Sequence, residues 1–535
     1  MNELSTDILI VGGGMGGVAA AIAALRAGRK VILTEQYAWL GGQLTSQGVP
    51  FDEHTWVEQF GVTASYRELR DGIRDYYRDH YPLTNEARRQ RDLNPGAGLV
   101  SRLCAEPRVA VAVIDGLLAP YLGSGALTVL QPYIPVDATT DGTIVTTVAL
   151  QNLATGELTV VSAGYVLDAT ETGDLLPLAG AEYVSGTESR AETGEPSAPE
   201  QGDPENVQAF SWCFVVDHIE GEDHTIPKPR DYDYWRSYQP DFWGAPLLSL
   251  TAPHPRTLEI VTRSFNPMID DNPFGALADQ RAGGGDDELW IFRRILSTKM
   301  LEPGHLESDL VLVNWPMIDY LGGSVIDNPD AATHLEASRQ LSYSMFYWLQ
   351  TEAPRPDGGT GWPGLRLRGD VTGTTDGLAQ APYIRESRRI RALYTVVEGD
   401  LSIAVRGHGR PAEFPDSVGV GMYRIDLHPS TNGDNYIDVA SAPFEIPLGA
   451  LIPVRLDNLL PAGKNVGTTH ITNGAFRLHP VEWNVGEVAG WLAAFCLDRA
   501  TDPRTVRNAP HLLEEFQSLL ITRGVELHWP DVTGY

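Results

Sequence analysis

The stretch TDILIVGGGMGGVAAAIAALRAGRKVILTEQ, residues 6–36, decides the fold of this chain. Residues 6–11 predict a buried strand, residues 16–27 are rich in Ala and Gly and predict a helix, and residues 30–34 predict a second strand. A Gly-x-Gly-x-x-Gly pattern occupies the turn between the first strand and the helix. The sequence therefore predicts a βαβ unit that binds a dinucleotide.

The glycines of this turn have separate physical roles. Gly12 permits the tight turn, Gly14 lets the backbone approach a pyrophosphate, and Gly17 allows the helix to pack closely. The helix N-terminus then faces the phosphates. Glu35 closes the second strand, where its carboxylate can accept hydrogen bonds from ribose hydroxyls. The motif predicts an adenine dinucleotide, and alone it does not separate NAD from FAD.

Composition excludes several classes of function. A formal net charge of -30 repels phosphate backbones and anionic headgroups, so neither a nucleic acid nor a membrane surface is expected as a partner. The apolar run of residues 8–25 is interrupted by the glycines and lacks a basic flank, which favours a cytoplasmic protein over a secreted one. The three cysteines are widely spaced and the 13 histidines show no ligand pattern, so no disulfide framework and no metal site is predicted.

The middle of the chain changes composition twice. Residues 125–131, 143–150 and 157–168 predict strands, and residues 186–206 turn to Gly, Pro, Ser and Glu, which predicts a long exposed excursion. A region rich in Trp, Tyr and Pro follows at 210–350, and a glycine-rich stretch at 354–377 ends it. We find no second Gly-x-Gly-x-x-Gly, and hence no nicotinamide domain is predicted.

The far end of the chain predicts a strand and a helix. Residues 459–463 are typical of a short strand with a turn, and residues 481–496 predict a helix. Gly486, Ala489, Gly490 and Ala493 share one face of this helix, against which the Ala- and Gly-rich first helix could pack.

Several segments together resemble the FAD-dependent oxidoreductase family. WLGGQLT at 39–45 is similar to the family's Gly-Gly segment beside the flavin, and DATETGD at 168–174 to its Asp-Ala-Thr-Gly strand end, with Glu171 in place of the usual Gly. YIRESRRI at 383–390 resembles an Arg-Glu-Ser-Arg-Arg box. Residues 469–480 resemble a Thr-His then Arg-x-x-Pro stretch. About 190–350 has no match, and substrate identity is expected to reside there.

The resemblance implies an α/β fold: a Rossmann-like FAD-binding domain of the glutathione-reductase type with an inserted α+β substrate domain. Residues 1–185 and 376–500 would form the cofactor domain, 186–375 the substrate domain and 501–535 a C-terminal helical extension. FAD would be noncovalent, because residues 41–49 contain no histidine for attachment. The helix near 481–496 would direct its N-terminus at the flavin. The implied cofactor residues are Gly12, Gly14, Gly16, Gly17, Glu35, Gln36, Gly42, Gln43, Leu44, Asp168, Ala169, Thr170, Gly463, Asn484 and Val485.

Hydride transfer to flavin N5 requires a base for the substrate's O–H or N–H proton, and histidine suits this task near neutral pH. His470 is the leading candidate because it matches the family histidine, and His479 is the second. Arg385, Arg388 and Arg389 are predicted to lie in one helical stretch, with Glu386 pairing to Arg389. Catalytic roles are predicted for Arg385 and Tyr383, and substrate-binding roles for Arg477 and Arg388, whose forked donors suit an anionic or polyhydroxylated substrate.

The function expected from these features is oxidation of a CH-OH or CH-NH group of a small polar metabolite, such as a sugar or hydroxy acid. The electron acceptor would be oxygen or a redox carrier, and a homodimer is compatible with the sequence. The alternatives are an alkene reductase or desaturase, in which an arginine moves the proton, and, with less support, a monooxygenase or a flavin-binding sensor without catalysis.

Overall fold

The computed structural model describes residues 2–274 and 285–535. Strands in these ranges are β1 (Asn2–Val11), β2 (Val31–Thr34), β3 (Leu127–Leu130), β4 (Tyr133–Asp141), β5 (Ile144–Asn152), β6 (Leu158–Asp168), β7 (Tyr183–Val184), β8 (Phe210–Ser211), β9 (Phe214–His218), β10 (Thr251–Pro253), β11 (Ile260–Thr262), β12 (Arg294–Leu296), β13 (Leu310–Val313), β14 (Asp319–Tyr320), β15 (Leu365–Leu367), β16 (Arg389–Ile390), β17 (Ser417–Gly421), β18 (Ile425–Leu427), β19 (Ile437–Val439), β20 (Phe444–Pro447) and β21 (Leu459–Pro461).

Helices in the same ranges are α1 (Met15–Arg26), α2 (Ala64–His80), α3 (Asn85–Arg89), α4 (Pro107–Ser124), α5 (Leu175–Leu178), α6 (Arg190–Thr193), α7 (Tyr232–Ser237), α8 (Leu289–Phe292), α9 (Ala331–Thr351), α10 (Gly369–Thr372), α11 (Glu398–Leu401), α12 (Ile403–Arg406), α13 (His470–Phe476), α14 (His479–Arg499), α15 (Pro503–Asn508) and α16 (Pro510–Thr522). Among the described helices, none is long and apolar enough to cross a bilayer.

The main sheet has the strand order β3-β2-β1-β6-β5-β4, and β21 pairs with the carboxyl-terminal part of β6. The pairs β1–β2, β1–β6, β2–β3 and β6–β21 are parallel, and β4–β5 and β5–β6 are antiparallel. Because carboxyl ends of parallel strands meet at one edge, the turns after β1, β2, β6 and β21 converge there. The predicted α/β class with a parallel-containing sheet is confirmed.

Helices α1 and α14 pack against each other without intervening side chains. A Cβ at Gly486 would lie 2.0 Å from the carbonyl oxygen of Gly16, and a Cβ at Gly490 would lie 2.4 Å from that of Ala20. Both distances are far shorter than any real contact, so these positions require glycine. The predicted contact between the two small-residue helices is confirmed, and it joins the two ends of the chain.

A second, antiparallel sheet has the order β12-β13-β9-β15 and lies within the region predicted as the substrate domain. The excursion predicted at 186–206 is not fully exposed, because Glu195 is buried: its carboxylate accepts hydrogen bonds from the backbone N–H of Glu398 (2.7 Å) and the hydroxyl of Thr469 (2.6 Å). The predicted C-terminal helical extension contains α15 and α16, of which α16 ends at Thr522, and the following residues are not helical. The predicted domain boundaries stay predictions.

The helix predicted across Arg385, Arg388 and Arg389 does not form. Residues 383–388 are extended and lead into β16, which pairs with β7, and Tyr383 bridges to Ser211 of β8. Pairing on these edges satisfies backbone groups that a helix would have satisfied internally. The predicted pair of Glu386 with Arg389 is present at 2.5 Å, on an extended rather than a helical backbone.

Candidate active site

A cleft at the carboxyl edge of the main sheet contains the glycine turn. Gly12 has a φ of +102°, and a Cβ there would lie 2.3 Å from the carbonyl oxygen of Ala169. A Cβ at Gly16 would lie 1.7 Å from the carbonyl oxygen of Ala462. The predicted cofactor residues that line this nucleotide cleft are Gly12, Gly14, Glu35, Gln36, Ala169 and Thr170.

Two carboxylates sit beside the turn. Glu35 accepts hydrogen bonds from the backbone N–H of Gly13 (3.0 Å) and of Tyr37 (2.8 Å), and burial raises its pKa to about 7. Asp168 accepts from the backbone N–H of Thr170 (3.0 Å), and burial raises its pKa to about 7. Within residues 2–274 and 285–535, the second oxygen of Asp168 is buried and has no hydrogen-bond partner. Such an acceptor fits a ligand that brings hydroxyl donors.

The Gly-Gly segment forms a short 3-10 turn over Gly42–Leu44 that contacts both ends of the chain. A Cβ at Gly42 would lie 2.8 Å from the Cα of Gly14. The Gln43 side-chain amide donates to the carbonyl of Arg477 (3.1 Å) and to Glu482 (2.5 Å), while its own oxygen is buried without a partner in the described chain. Leu44 is buried in the core.

Helix α14 begins at His479, which is earlier than the predicted 481. The backbone N–H groups of Asn484 and Val485 therefore lie inside the helix, where the i−4 carbonyls accept them, and not at its free first turn. The side chain of Asn484 instead donates to the carbonyl of Val418 at 3.5 Å. The amides available to a ligand at this helix start belong to the first turn, which corrects the predicted donors.

His479 is a buried neutral ring at that helix start. Its Nδ1 accepts the backbone N–H of Asp52 at 3.1 Å, so the neutral tautomer carries its proton on Nε2. Burial, together with the charges of Lys464 and Arg477, lowers its pKa to about 3. Across the part of the chain that the structure describes, Nε2 has no partner. His479 is thus arranged as a hydrogen-bond donor and not as the predicted base.

Gly463 follows β21 and leads into Lys464, which lies against the same turn. The Lys464 ammonium contacts the Glu171 carboxylate and is 3.7 Å from that of Glu482. Lys464 and Glu482 are buried, so one cation and two carboxylates share the space beside Gly14 and Gly463. The family resemblance did not mark Lys464 or Glu482.

A second cavity of about 210 Å³, here called the substrate pocket, is rich in charged and aromatic groups. Its guanidinium groups come from Arg256, Arg263, Arg293, Arg385, Arg424 and Arg477. Asp52, Glu53, Asp286, Asp426 and Asp438 supply carboxylates. Among the described residues, no carboxylate accepts a hydrogen bond from Arg293, and its guanidinium instead donates to the carbonyl of Asn314.

The extended segment 381–385 separates the nucleotide cleft from the substrate pocket. Pro382 and Ile384 line the nucleotide cleft, whereas Tyr383 and Arg385 line the substrate pocket. This division follows from an extended backbone, in which successive side chains point to opposite sides. A helix over the same residues would not divide them in this way.

Three of the predicted residues meet in the substrate pocket. Arg477 donates to the Tyr383 hydroxyl at 2.7 Å and pairs with Asp426 at 3.2 Å. Arg385 is 3.0 Å from the Asp319 carboxylate and donates to the hydroxyl of Ser211 at 3.0 Å. All three side chains are held by neighbours, so the pocket presents them in fixed positions.

His470 and Arg388 do not line the substrate pocket. His470 begins α13, and its Nδ1 lies 2.9 Å from Glu386. Against the effect of burial, the charges of His470 and Arg389 lower the pKa of Glu386 to about 2. Arg388 pairs with Asp174 (3.0 Å) and Asp327 (2.8 Å). The structure thus places both predicted side chains in ion-pair networks outside this pocket.

Two histidines line the substrate pocket, His254 and His428, and the one paired with a carboxylate is His428. Its Nδ1 is 2.5 Å from a carboxylate oxygen of the buried Asp319, whose other oxygen accepts from Ser211 at 2.5 Å. Burial and the charge of Arg385 lower the pKa of His428, although Asp319 opposes the shift. The neutral ring therefore donates from Nδ1 to Asp319 and keeps a lone pair on Nε2. Sequence reasoning missed this pair because its members are 109 residues apart and match no spacing pattern.

Comparison with known proteins places the chain in a family. The model of the FAD dependent oxidoreductase family matches residues 7–520. No curated protein matches the chain. Similar solved structures include a geranylgeranyl bacteriochlorophyll reductase-like protein from Thermoplasma acidophilum, with 10% identity, a TM-score of 0.33, and coverage of 98% of this chain and 86% of that chain.

Two others are L-proline dehydrogenase from P. horikoshii (14% identity, TM-score 0.18, 35% of this chain and 24% of that chain) and Mycobacterium smegmatis Sdh1 (13% identity, TM-score 0.23, 32% and 34%). The chain thus spans a quarter to a third of the length of these two. The family match extends over nearly the whole chain, whereas the similarity to these two structures covers about a third of it. The protein therefore belongs to the FAD-dependent oxidoreductase family and is an enzyme with FAD as its cofactor.

Proposed function

We propose that this enzyme is a dehydrogenase or oxidase that removes a hydride from a CH-OH or CH-NH group of a small polar metabolite, such as a sugar or hydroxy acid. The observation that carries the proposal is the Asp319–His428 pair facing the substrate pocket. Bound FAD supplies the hydride acceptor, and oxygen or a redox carrier would remove the electrons. The chain's residues must then bind the substrate and take its proton.

His428 is suited to take that proton. The buried Asp319 carboxylate holds Nδ1–H and fixes the ring, so that Nε2 is the basic atom, and it also stabilises the imidazolium that forms. Because surrounding groups keep the ring neutral at neutral pH, the base is ready before the substrate binds. The rate of substrate oxidation should therefore fall as the pH decreases through the lowered pKa of His428 and should be level above it.

Arginines of the substrate pocket would bind a negatively charged group of the substrate. Arg477 is oriented by Asp426 and Tyr383, and Arg293 directs one terminal nitrogen at a backbone carbonyl rather than at a carboxylate of the described chain. A forked guanidinium recognises a carboxylate by two parallel hydrogen bonds. This supports a hydroxy acid over a neutral sugar as the substrate.

The finer assignment of the cofactor domain to the glutathione-reductase type, with noncovalent FAD, is part of the same proposal. It is supported by the parallel β1, β6 and β21 strands, drawn from both ends of the chain, and by the glycine turn that admits no Cβ.

An alkene reductase or desaturase is the second candidate, because the Tyr383 hydroxyl bonded to Arg477 could move a proton to or from carbon.

The deciding experiment is anaerobic addition of pooled sugars, hydroxy acids or amines to the FAD-loaded protein, with the flavin absorbance as readout. Bleaching by the hydroxy-acid pool is the expected result. The alternative predicts no bleaching by any of these pools but reoxidation of the chemically reduced protein by pooled unsaturated acids. That pattern would replace the dehydrogenase proposal with the reductase one.

The two histidines can then be compared directly. With the substrate from that pool, His428→Gln should slow flavin reduction by roughly 10²- to 10⁴-fold, because the proton acceptor is lost. His470→Gln serves as the matched variant, and its ring lies in the Glu386 network rather than in the pocket. If His470→Gln is the slow variant while His428→Gln reduces normally at full FAD content, the base is His470, as the sequence predicted.

A further inference from the structure

A lysine–glutamate cluster, which consists of Lys464, Glu171 and Glu482, lies beside the nucleotide cleft, and Glu171 is the member that lines the cleft. Lys464 contacts Glu171 and lies 3.7 Å from Glu482, and Gln43 donates to Glu482 at 2.5 Å. Glu171 comes from the turn after β6, Lys464 follows β21, and Glu482 lies in the first turn of α14. Three separate elements therefore bring these charges to one place.

The cluster lies at the start of α1. A Cβ at Gly14 would be 2.7 Å from the Glu171 oxygen Oε1, and a Cβ at Gly42 would be 2.6 Å from the same atom. In the described residues, this oxygen is buried and has no hydrogen-bond partner, and the same holds for Oε1 of Gln43. Gly14 is also the N-cap of α1, and no side chain of the described chain caps that helix. The glycine motif places the cofactor's pyrophosphate at this helix start.

The charges of the cluster do not balance. One ammonium and two ionised carboxylates leave one net negative charge, and the pyrophosphate of a dinucleotide adds two more. Like charges in a buried site repel strongly unless one of them is neutralised, and the group with the least stable charge takes up a proton. Burial raises the pKa of Glu482 to about 7, with Glu171 adding to the rise and Lys464 opposing it.

We propose that FAD binding to this protein is linked to proton uptake by Glu482, with Lys464 as the cation that binds the pyrophosphate. When Glu482 carries a proton, the cluster is neutral, and Lys464 can turn from the carboxylates to the phosphates. When both carboxylates are ionised, they compete for Lys464 and repel the incoming anion. The affinity for FAD consequently decreases as the pH rises through neutrality. This inference does not depend on the identity of the substrate.

Other titratable groups near the cluster have defined states. His479 stays neutral, because its pKa is lowered to about 3, and burial raises the pKa of Tyr383 above its usual range. Glu35 interacts with Glu171, and burial raises its pKa to about 7 as well. Asp168 has a pKa raised to about 7 by burial. Glu35 and Asp168 are therefore the competing sources of pH dependence that the experiment must separate.

The experiment titrates the apoprotein with FAD, follows flavin fluorescence, and repeats this from about pH 6 to about pH 9. For one linked proton, the Kd should rise by up to about tenfold per pH unit at the alkaline end. Glu482→Gln should bind FAD more tightly at high pH and lose most of this slope. Lys464→Met should bind at least about tenfold more weakly at every pH, because the buried cation is lost.

Glu171→Gln is the companion variant, since Glu171 is more exposed than Glu482 and its replacement disturbs the core less. Thermal unfolding of each apoprotein checks that the variants fold. The inference is overturned if both glutamine variants retain the full slope of the parent protein. It is equally overturned if Glu35→Gln or Asp168→Asn alone abolishes the slope, or if the affinity of the parent protein does not change with pH.

Discussion

Asp319 connects two residues that line the substrate pocket, Arg385 and His428. One of its oxygens accepts from Ser211, the other lies against His428, and Arg385 is 3.0 Å away. Its charge is retained despite complete burial: against the effect of burial, the Arg385 guanidinium and the hydrogen bonds from His428 and Ser211 hold its pKa below the usual range. A single carboxylate therefore fixes both the tautomer of the histidine and the position of an arginine.

Replacing that carboxylate tests whether orientation of His428 matters. In Asp319→Asn the amide can donate to Nδ1, which favours the tautomer with its proton on Nε2, the atom that must accept the substrate proton. Flavin reduction should slow by about 10²-fold or more. Stopped-flow reduction under anaerobic conditions measures the rate. Asp327→Asn, in the Arg388 network outside the pocket, is the control, and equal slowing in both variants would contradict a specific role for Asp319.

Single residues also mark the limit of sequence reasoning. Gly12, Gly14 and Glu35 were predicted to border a dinucleotide, because their spacing is set by local turn geometry, and they do line one cleft. His428 was not predicted, because nothing local couples it to Asp319; the pairing exists only after the chain has folded. Lys464 was missed for the same reason, since its partners Glu171 and Glu482 lie on other elements.

Helices α1 and α14 approach each other closely, and this contact can be tested with a minimal change. Gly486→Ala would put a methyl group 2.0 Å from the carbonyl oxygen of Gly16, so the helices must separate. We expect a loss of about 1–3 kcal/mol in the free energy of unfolding, together with weaker FAD binding. Urea denaturation and bound-FAD content are the measurements.

Gly116→Ala is the matched control for that substitution. Gly116 also lies within a helix, α4, but it is exposed and a Cβ there would meet nothing within 4 Å. Removing a flexible glycine from an exposed helix position should be neutral or stabilise the protein by up to about 1 kcal/mol. If Gly486→Ala proved as harmless as Gly116→Ala, the close packing of α1 on α14 would not contribute to stability.

Elements were predicted well where periodicity is local and poorly where pairing is distant. The strand, helix and strand of residues 6–34 were placed within a few residues of their observed ends. The stretch that contains Arg385, Arg388 and Arg389 was predicted to be helical, with Glu386 paired to Arg389. The extended form prevails since Arg389 and Ile390 pair with β7, and Arg389 is fully buried against Glu386 and Glu188. The local sequence pattern of residues 383–390 does not show that β7 will be their partner.

At the scale of the whole molecule, the cofactor site is assembled from parts that are far apart in sequence. FAD should therefore stabilise the entire cofactor domain rather than one segment. With FAD at about 100 times its Kd, the free energy of unfolding should increase by about 2.7 kcal/mol. The thermal unfolding midpoint with and without FAD tests this, with adenosine as a ligand that lacks the pyrophosphate. An unchanged midpoint at saturation would mean that the cofactor domain opens independently of its ligand.

The contact of Gly16 with Gly486 has a consequence for synthesis. After Gly16, the ribosome adds 470 residues to reach Gly486. At about 5–20 residues per second, α1 therefore waits roughly 25 to 95 s for the helix that covers it. During that interval its Ala- and Gly-rich face has no native neighbour from α14, and the cofactor cannot be enclosed. Folding of the nascent chain therefore depends on the late translation of α14. Chaperones that shield short apolar surfaces would act on the N-terminal segment first.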